Sequence, residues 1–254
     1  MKTRVLFFAF KRGYHVGWRR PEKIVDHVTV LRALLSTAFM LGRRGFVESV
    51  RSGELAASAL LPALPMGDGE ARLLSLFPPL PALVKRSKLG LSWATLPASH
   101  AIVVFANDCA SKGGLPLLAR AKDGGIGVFC RNGDGGRLLL DLREGGIACL
   151  PGEDCNSLPR APTPILEKVE EYHNRIDRVT GAADLYRVSG WRPQAPLWLG
   201  LHGVESVVDE AEALARILGE LGLGAYRSRG WGFFSVEELK PHRLDEAILQ
   251  NSIG

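Results

Sequence analysis

Apolar positions along this chain fall into short runs of differing period. Lys2-Thr3-Arg4-Val5-Leu6-Phe7-Phe8-Ala9-Phe10 meets Lys11 and Arg12 at once. It is too brief to span a bilayer and predicts a first β-strand rather than a signal segment. Leu31, Leu34, Leu35, Ala38 and Leu41 recur at three- and four-residue steps behind Asp26. That pattern predicts a helix capped by Asp26 and ended by Gly42. Ala101-Ile102-Val103-Val104-Phe105 predicts a buried strand. Ile126-Gly127-Val128-Phe129, Arg137-Leu138-Leu139-Leu140 and Ile147-Ala148-Cys149-Leu150, separated by glycine-rich turns, predict hairpins. Leu185 to Val188, Leu197 to Leu201 and Trp231 to Val236 predict further strands. Between the last two, Val207, Ala211, Leu214, Leu218 and Leu221 line one helix face. Ser206 is its expected cap, with Asp209 three residues on, and Gly222 sits where an αL C-cap belongs. Ile165 to Gly181 fits two periods, a charged helix or a long polar strand.

Leu76-Phe77-Pro78-Pro79-Leu80-Pro81 breaks regular structure, and a basic cluster, Lys85-Arg86-Ser87-Lys88, follows it. Pro151, Pro159, Pro162 and Pro164 fall close together, with Gly152 and Asn156 among them. They predict a boundary between residues 1–155 and 156–254. Strands accompany an amphipathic helix in each half, so the expected class is α+β with antiparallel sheets.

Composition adds little until charge is considered. The 254 residues are 46% apolar, enough for a real core, and carry a formal charge of +5. A modest basic excess suits a localised groove for part of a polyanion. Cys109, Cys130, Cys149 and Cys155 form no C-x-x-C pair and have no histidine at zinc-finger distance. Reduced thiols in an intracellular chain are the simple expectation, with neither metal nor cofactor. Gly133-Asp134-Gly135-Gly136 lacks the Lys-Ser/Thr ending of a phosphate loop and reads as a hairpin turn.

The chemistry concentrates in Gly222-Leu223-Gly224-Ala225-Tyr226-Arg227-Ser228-Arg229-Gly230-Trp231-Gly232-Phe233-Phe234. Glycines permit positive φ and close approach, exposed N–H groups make an anion-binding concavity, and arginine forks phosphate. Trp231 and Phe233 alternate and equally suit a tight turn that packs them inward. Arg227, Ser228 and Arg229 at the crest have no such use. A second basic, aromatic loop, Lys11-Arg12-Gly13-Tyr14-His15-Val16-Gly17-Trp18-Arg19-Arg20, follows the first strand. Cations interleaved with rings suit backbone contact plus base stacking. A Rossmann-type use of the glycine loop is disfavoured, because it closes a helix and opens a strand.

Three segments together resemble the RAMP superfamily of CRISPR-associated proteins. Gly222 to Phe234 looks like that superfamily's glycine-rich loop. His173-Asn174-Arg175-Ile176-Asp177-Arg178-Val179-Thr180-Gly181, followed by Leu185-Tyr186, is similar to a strand of the Csm subunit four family. The basic N-terminal strand-loop ends in a helix from Asp26 to Leu41. The family's Ser-Asp-Thr-Leu start reads here as Asp26-His27-Val28-Thr29-Val30-Leu31. The proline stretch Leu76 to Pro81 is similar to one the family carries after its first helix. Residues 100–160 stand outside the resemblance, and the Cmr subunit three counterpart is close.

The resemblance implies two ferredoxin-like domains, residues 1–155 with inserted hairpins and residues 156–254 carrying the glycine loop. In the family, Tyr172 onward is strand, which puts His173, Arg175 and Asp177 on one face and Asn174, Ile176 and Arg178 on the other. It implies a non-catalytic cytoplasmic protein that holds the 5′ tag of the crRNA in a type III effector complex. Its expected neighbours are the large polymerase-like subunit and the first backbone RAMP subunit, with no membrane. The expected RNA contacts are Lys11, Arg12, Tyr14, His15, Arg19, His173, Arg175, Arg178, Arg227, Ser228, Arg229, Gly230, Trp231 and Gly232. The enzymatic alternative is a metal-independent ribonuclease that processes precursor crRNA, with Tyr14, His15 and Lys11 to supply a general acid or base and a cation for the developing charge, and His27 nearby in sequence.

Overall fold

A computed structural model of the chain describes all residues except 19, 83–90, 121–125, 133, 134, 154, 156, 157, 177 and 252–254. Its elements run β1 (Lys2–Phe10), α1 (His27–Met40), α2 (Arg44–Arg51), β2 (Leu55–Ala57), β3 (Leu61–Pro65), β4 (Glu70–Leu76), β5 (Trp93–Thr95), α3 (Leu96–Ser111) and β6 (Leu115–Arg120). They continue with β7 (Ile126–Arg131), β8 (Arg137–Arg143), β9 (Ile147–Cys149), β10 (Leu166–Ile176), β11 (Ala183–Pro193), β12 (Leu197–Gly203), α4 (Glu205–Leu221), β13 (Phe234–Glu237), β14 (Lys240–Pro241) and α5 (Arg243–Asn251). The class is α+β, as expected.

The chain forms two interleaved compact units. Met1–Leu60 joins Pro164–Glu238, and Leu61–Thr163 joins Leu239–Gly254. The seam at Thr163 falls in the proline cluster, but the division into residues 1–155 and 156–254 is corrected. The N-terminal segment belongs with the C-terminal half because β1 pairs antiparallel with both β12 and β13. A boundary read from local composition has no access to strand partners so far apart in sequence.

The first unit is a four-stranded antiparallel sheet in the order β13-β1-β12-β2, with α1 and α4 packed together beside it. β1 buries Leu6, Phe7 and Phe8, and the Phe8 ring stacks on Phe234 of β13 with centroids 4.3 Å apart. Each such phenyl, fully buried, stabilises by about 2 kcal/mol. α1 starts where expected. Asp26 accepts a hydrogen bond from the Thr29 N–H at 2.7 Å, and the Thr29 side chain together with that N–H holds its carboxyl below the usual range. α4 starts differently: Val204, not Ser206, is the cap, and no side chain caps the helix. Gly222 ends it with φ of +84° but an extended ψ of 140°, outside the αL region. The ambiguous segment is strand from Leu166, earlier than Tyr172, and it ends at Ile176. Arg178 is in the turn, and Asp177 lies outside the described residues.

The second unit carries a sheet in the order β3-β4-β5-β9-β8-β7-β6. α3 packs on it over a core that includes Ala94, Ala98, Ile102, Leu118, Val128 and Leu140. The predicted hairpins are β7, β8 and β9. Ala101 to Phe105 is a correction, because these residues lie inside α3 rather than in a strand. Thr95 caps that helix by accepting from the Ala98 N–H, and Pro97 sits in the first turn, where its missing N–H costs nothing. Ile102 is fully buried while Val104 is 53% exposed. A continuous apolar run fits either period, and the cap was the deciding signal.

All four cysteines are paired, Cys109 with Cys130 and Cys149 with Cys155, which corrects the expectation of reduced thiols. A bridge requires the Cα atoms to stand about 4.4–6.8 Å apart. Packing of α3 against β7 supplies that separation for the first pair, and sequence spacing cannot show it. No helix among the described residues is long and apolar enough to cross a membrane. The expected basic cluster Lys85, Arg86 and Lys88 lies outside the described residues, as do Gly133 and Asp134.

Candidate nucleic-acid interface

In the first unit, the glycine loop lies along the loop that leaves β1. The Ala225 N–H donates to the His15 carbonyl at 2.8 Å, the Gly232 N–H to that of Gly13 at 2.7 Å, and the Lys11 N–H to that of Phe233 at 3.0 Å. Two glycines make this approach possible. A Cβ on Gly224 would stand 2.3 Å from the His15 oxygen, and one on Gly232 would stand 2.1 Å from the Leu223 oxygen. Both residues also have positive φ, +87° and +81°.

The crest is built differently. Tyr226 and Gly230 adopt the left-handed conformation on either side of a 3-10 turn, Arg227–Arg229. Arg227 and Ser228 are exposed, and their N–H groups have no backbone acceptor among the described residues. Arg229 is half-buried, with its guanidinium 4.7 Å from the Tyr186 ring centroid and 5.6 Å from that of Tyr226. His173 stacks on Tyr186, and the His15 ring meets Tyr226 edge-on. Arg229 and the rings of Tyr186, Tyr226 and His173 therefore share one surface, with the covered His15 ring against Tyr226.

The third segment is the β10–β11 hairpin. Its root joins the N-terminal loop through paired backbone bonds between Tyr14 and Trp191, each 2.9 Å. Register places Glu171, His173 and Arg175 of β10 opposite Val188, Tyr186 and Asp184. Asn174 and Ile176 take the other face with Leu185 and Ala183, as alternation predicts. Toward the tip, Arg175, Arg178 and Asp184 line an open cavity of about 690 Å³.

Not every expected contact residue faces outward. Tyr14 is fully buried; its hydroxyl donates to the Lys23 carbonyl at 2.6 Å, and burial pushes its phenol well above the usual range. Trp231 is fully buried, and the His15 ring is covered with Nδ1 2.5 Å from the Ser189 carbonyl oxygen. Base stacking on these three is therefore corrected, because they form the floor of the interface. Gly232 is buried as well, fixing the loop rather than meeting a ligand. Lys11, Arg12, Arg227 and Ser228 are exposed, and a Cβ on Gly230 would meet, among the described residues, only Arg12 Nη1 at 3.7 Å. Arg19 lies outside the described residues.

Sequence reasoning passed over Glu171, Tyr186, Tyr226 and Trp18 as site residues. Glu171 receives Arg12 Nε at 3.0 Å and Trp231 Nε1 at 3.3 Å. Its two-residue spacing from His173 was the available signal. Trp18 is 91% exposed on the N-terminal loop, which its place among arginines hinted at. Set against known proteins, the chain matches no family model, and no curated protein is similar to it at a significant level.

Proposed function

We propose that this protein binds RNA through the first unit, as the crRNA-binding subunit of a type III CRISPR effector complex. In this reading it holds the 5′ tag of the guide and bridges the large polymerase-like subunit to the backbone RAMP filament. The observation that carries the RNA reading is the convergence of three segments on one unit: Arg12 from the N-terminal loop, Arg227 to Arg229 at the glycine crest, and His173, Arg175 and Arg178 on the hairpin and its turn. Phosphate asks for exposed cations and N–H donors, and bases ask for ring faces. The CRISPR assignment comes from the sequence resemblance, and the unit's topology supports it. Counting only its own sheet strands, the order is fourth, first, third, second, with α1 after the first and α4 after the third. That is the ferredoxin-like arrangement, proposed for this unit. The second unit joins two antiparallel runs, β3-β4-β5 and β6-β7-β8-β9, through a parallel β5–β9 pair, with α3 in the connection between them. A binding rather than cutting role fits the floor: the Tyr14 hydroxyl is committed to a carbonyl and the His15 ring is covered.

The test is binding of a tag-bearing single-stranded RNA across a salt series. Arg227→Ala and Arg229→Ala are each expected to weaken binding and to lower the salt slope by about one unit. Gly230→Val is expected to weaken it through strain at φ of +82°. Folded variants that bind with unchanged affinity and slope would show the loop to be only a turn.

A further inference from the structure

We propose that Glu171 is the positioning residue of this interface, with its carboxylate presenting the Arg12 guanidinium to a phosphodiester. The inference rests on the RNA-binding reading and adds to it a residue of opposite charge. An acid inside a basic groove ordinarily opposes a polyanion, but the geometry around Glu171 gives it another task. Its Oε2 accepts from Trp231 Nε1 at 3.3 Å, and that indole is fully buried. The indole has no room to move toward β11, where a Cβ on Gly190 would lie 2.1 Å from the ring. With Oε2 held, Oε1 is aimed at Arg12, accepting from Nε at 3.0 Å and lying 2.8 Å from Nη2. Nη1 of the same arginine donates to the Arg229 carbonyl at 3.0 Å.

Arg12 thereby ties the N-terminal loop, β10 and the crest of the glycine loop together. Its side chain nevertheless stays 44% exposed. A guanidinium has five N–H donors in a rigid fork, and the bonds to Glu171 and Arg229 leave others for an acceptor arriving from solvent. An arginine already held in one rotamer loses less entropy when a phosphate binds. Glu171 Oε2 also sits 3.5 Å from His173 Nε2, a buried atom with no hydrogen-bond partner among the described residues, so it lies at the end of the ring stack as well.

Glu171→Gln separates the two roles by sign. It keeps shape and an acceptor but loses the charge that holds Arg12. If Glu171 only opposed RNA, removing its charge would tighten binding. A positioning role predicts affinity about tenfold weaker and a salt slope lower by about one unit, although the groove has become more positive. The readout that needs no RNA is the Arg12 Nε–Hε resonance, expected in wild type as a single slowly exchanging signal and in the variant as an averaged one. Arg12→Lys keeps the charge without the fork and is expected to weaken binding too. The pair is partly exposed, so the Gln variant is expected to stay folded, as thermal melting will verify. An unchanged Arg12 signal, or binding as tight as wild type or tighter, overturns the proposal. If wild type binds no tag RNA while its Arg12 signal behaves as described, the RNA reading falls and the clamp is structural only, which overturns its assignment to phosphate.

Discussion

Asp245 in α5 offers a prediction of unusual sign. Arg72 on β4 is 2% exposed, Glu153 faces it in a short ion pair, and Asp245 is fully buried behind them. Thr95 Oγ1 and the Leu150 N–H both donate to Glu153, and Arg72 Nη1 lies 2.7 Å from His242 Nδ1. Asp245 Oδ2 accepts from the Leu73 N–H at 3.1 Å, while its Oδ1 has no hydrogen-bond partner among the described residues. One buried cation thus faces two carboxyls. Burial pushes the Asp245 carboxyl up, reinforced by Glu153 and opposed by Arg72 and the Leu73 N–H, to about 7 from a usual 3.8. A raised carboxyl means that the folded chain binds more protons than the unfolded one between those two pH values. Its contribution to stability is therefore full below the unfolded value and is lost as pH rises through about 7. The shift is about three units, or about 4 kcal/mol. Asp245→Asn keeps an acceptor for Leu73 and cannot ionise. Urea unfolding at steps from about pH 4 to pH 8 is expected to show the variant gaining on wild type by about 4 kcal/mol across the range. His242, whose pKa burial and Arg72 depress, titrates in both proteins. A difference between the two that stays constant with pH, or shrinks as pH rises, would refute the argument.

Two further outcomes follow from the first unit. Gly232→Ala is expected to destabilise the fold by more than about 2 kcal/mol, because its Cβ meets the Leu223 backbone, whereas Gly230→Ala meets only the Arg12 guanidinium at an ordinary contact distance and costs about 1 kcal/mol. Equal urea midpoints for the two would contradict the close approach described. Trp18 is 91% exposed while Trp231, Trp93 and Trp198 are buried, so tag RNA is expected to quench and blue-shift the part of the fluorescence that acrylamide reaches in the free protein. Unchanged acrylamide access with RNA bound would place Trp18 outside the footprint.

Several elements were legible because their signals are local. Asp26 announced α1, the stripe from Val207 to Leu221 announced α4, and the glycine-rich turns announced β7 to β9. Ala101 to Phe105 was misread because an apolar run has no period, and the cap at Thr95 was not weighed. The site was legible in its charges and less so in its rings. Arg227 and Ser228 sit exposed on the crest, as their type and loop position suggest. Tyr14 and Trp231 look identical in sequence to exposed stacking residues, and only the packing of Gly190 against the indole reveals them as floor. Glu171 escaped notice because an acid in a basic groove gains meaning only from what it touches.

The interleaving of the two units has a consequence for biosynthesis. Thr3 bonds His202 across 199 positions of chain, and the Leu73 N–H reaches Asp245 across 172. Neither unit corresponds to a continuous stretch, so neither can close while the ribosome still holds its last segment. β1 leaves the exit tunnel long before β12 and β13 exist, and until then its Phe7 and Phe8 have no strand to pair with in this sheet. Closing loops of that length makes folding slow and late. The nascent chain therefore displays an unpaired apolar strand through most of its synthesis, which is the state that chaperones and aggregation compete for. A cut anywhere between Leu61 and Thr163 would leave both units incomplete in each fragment.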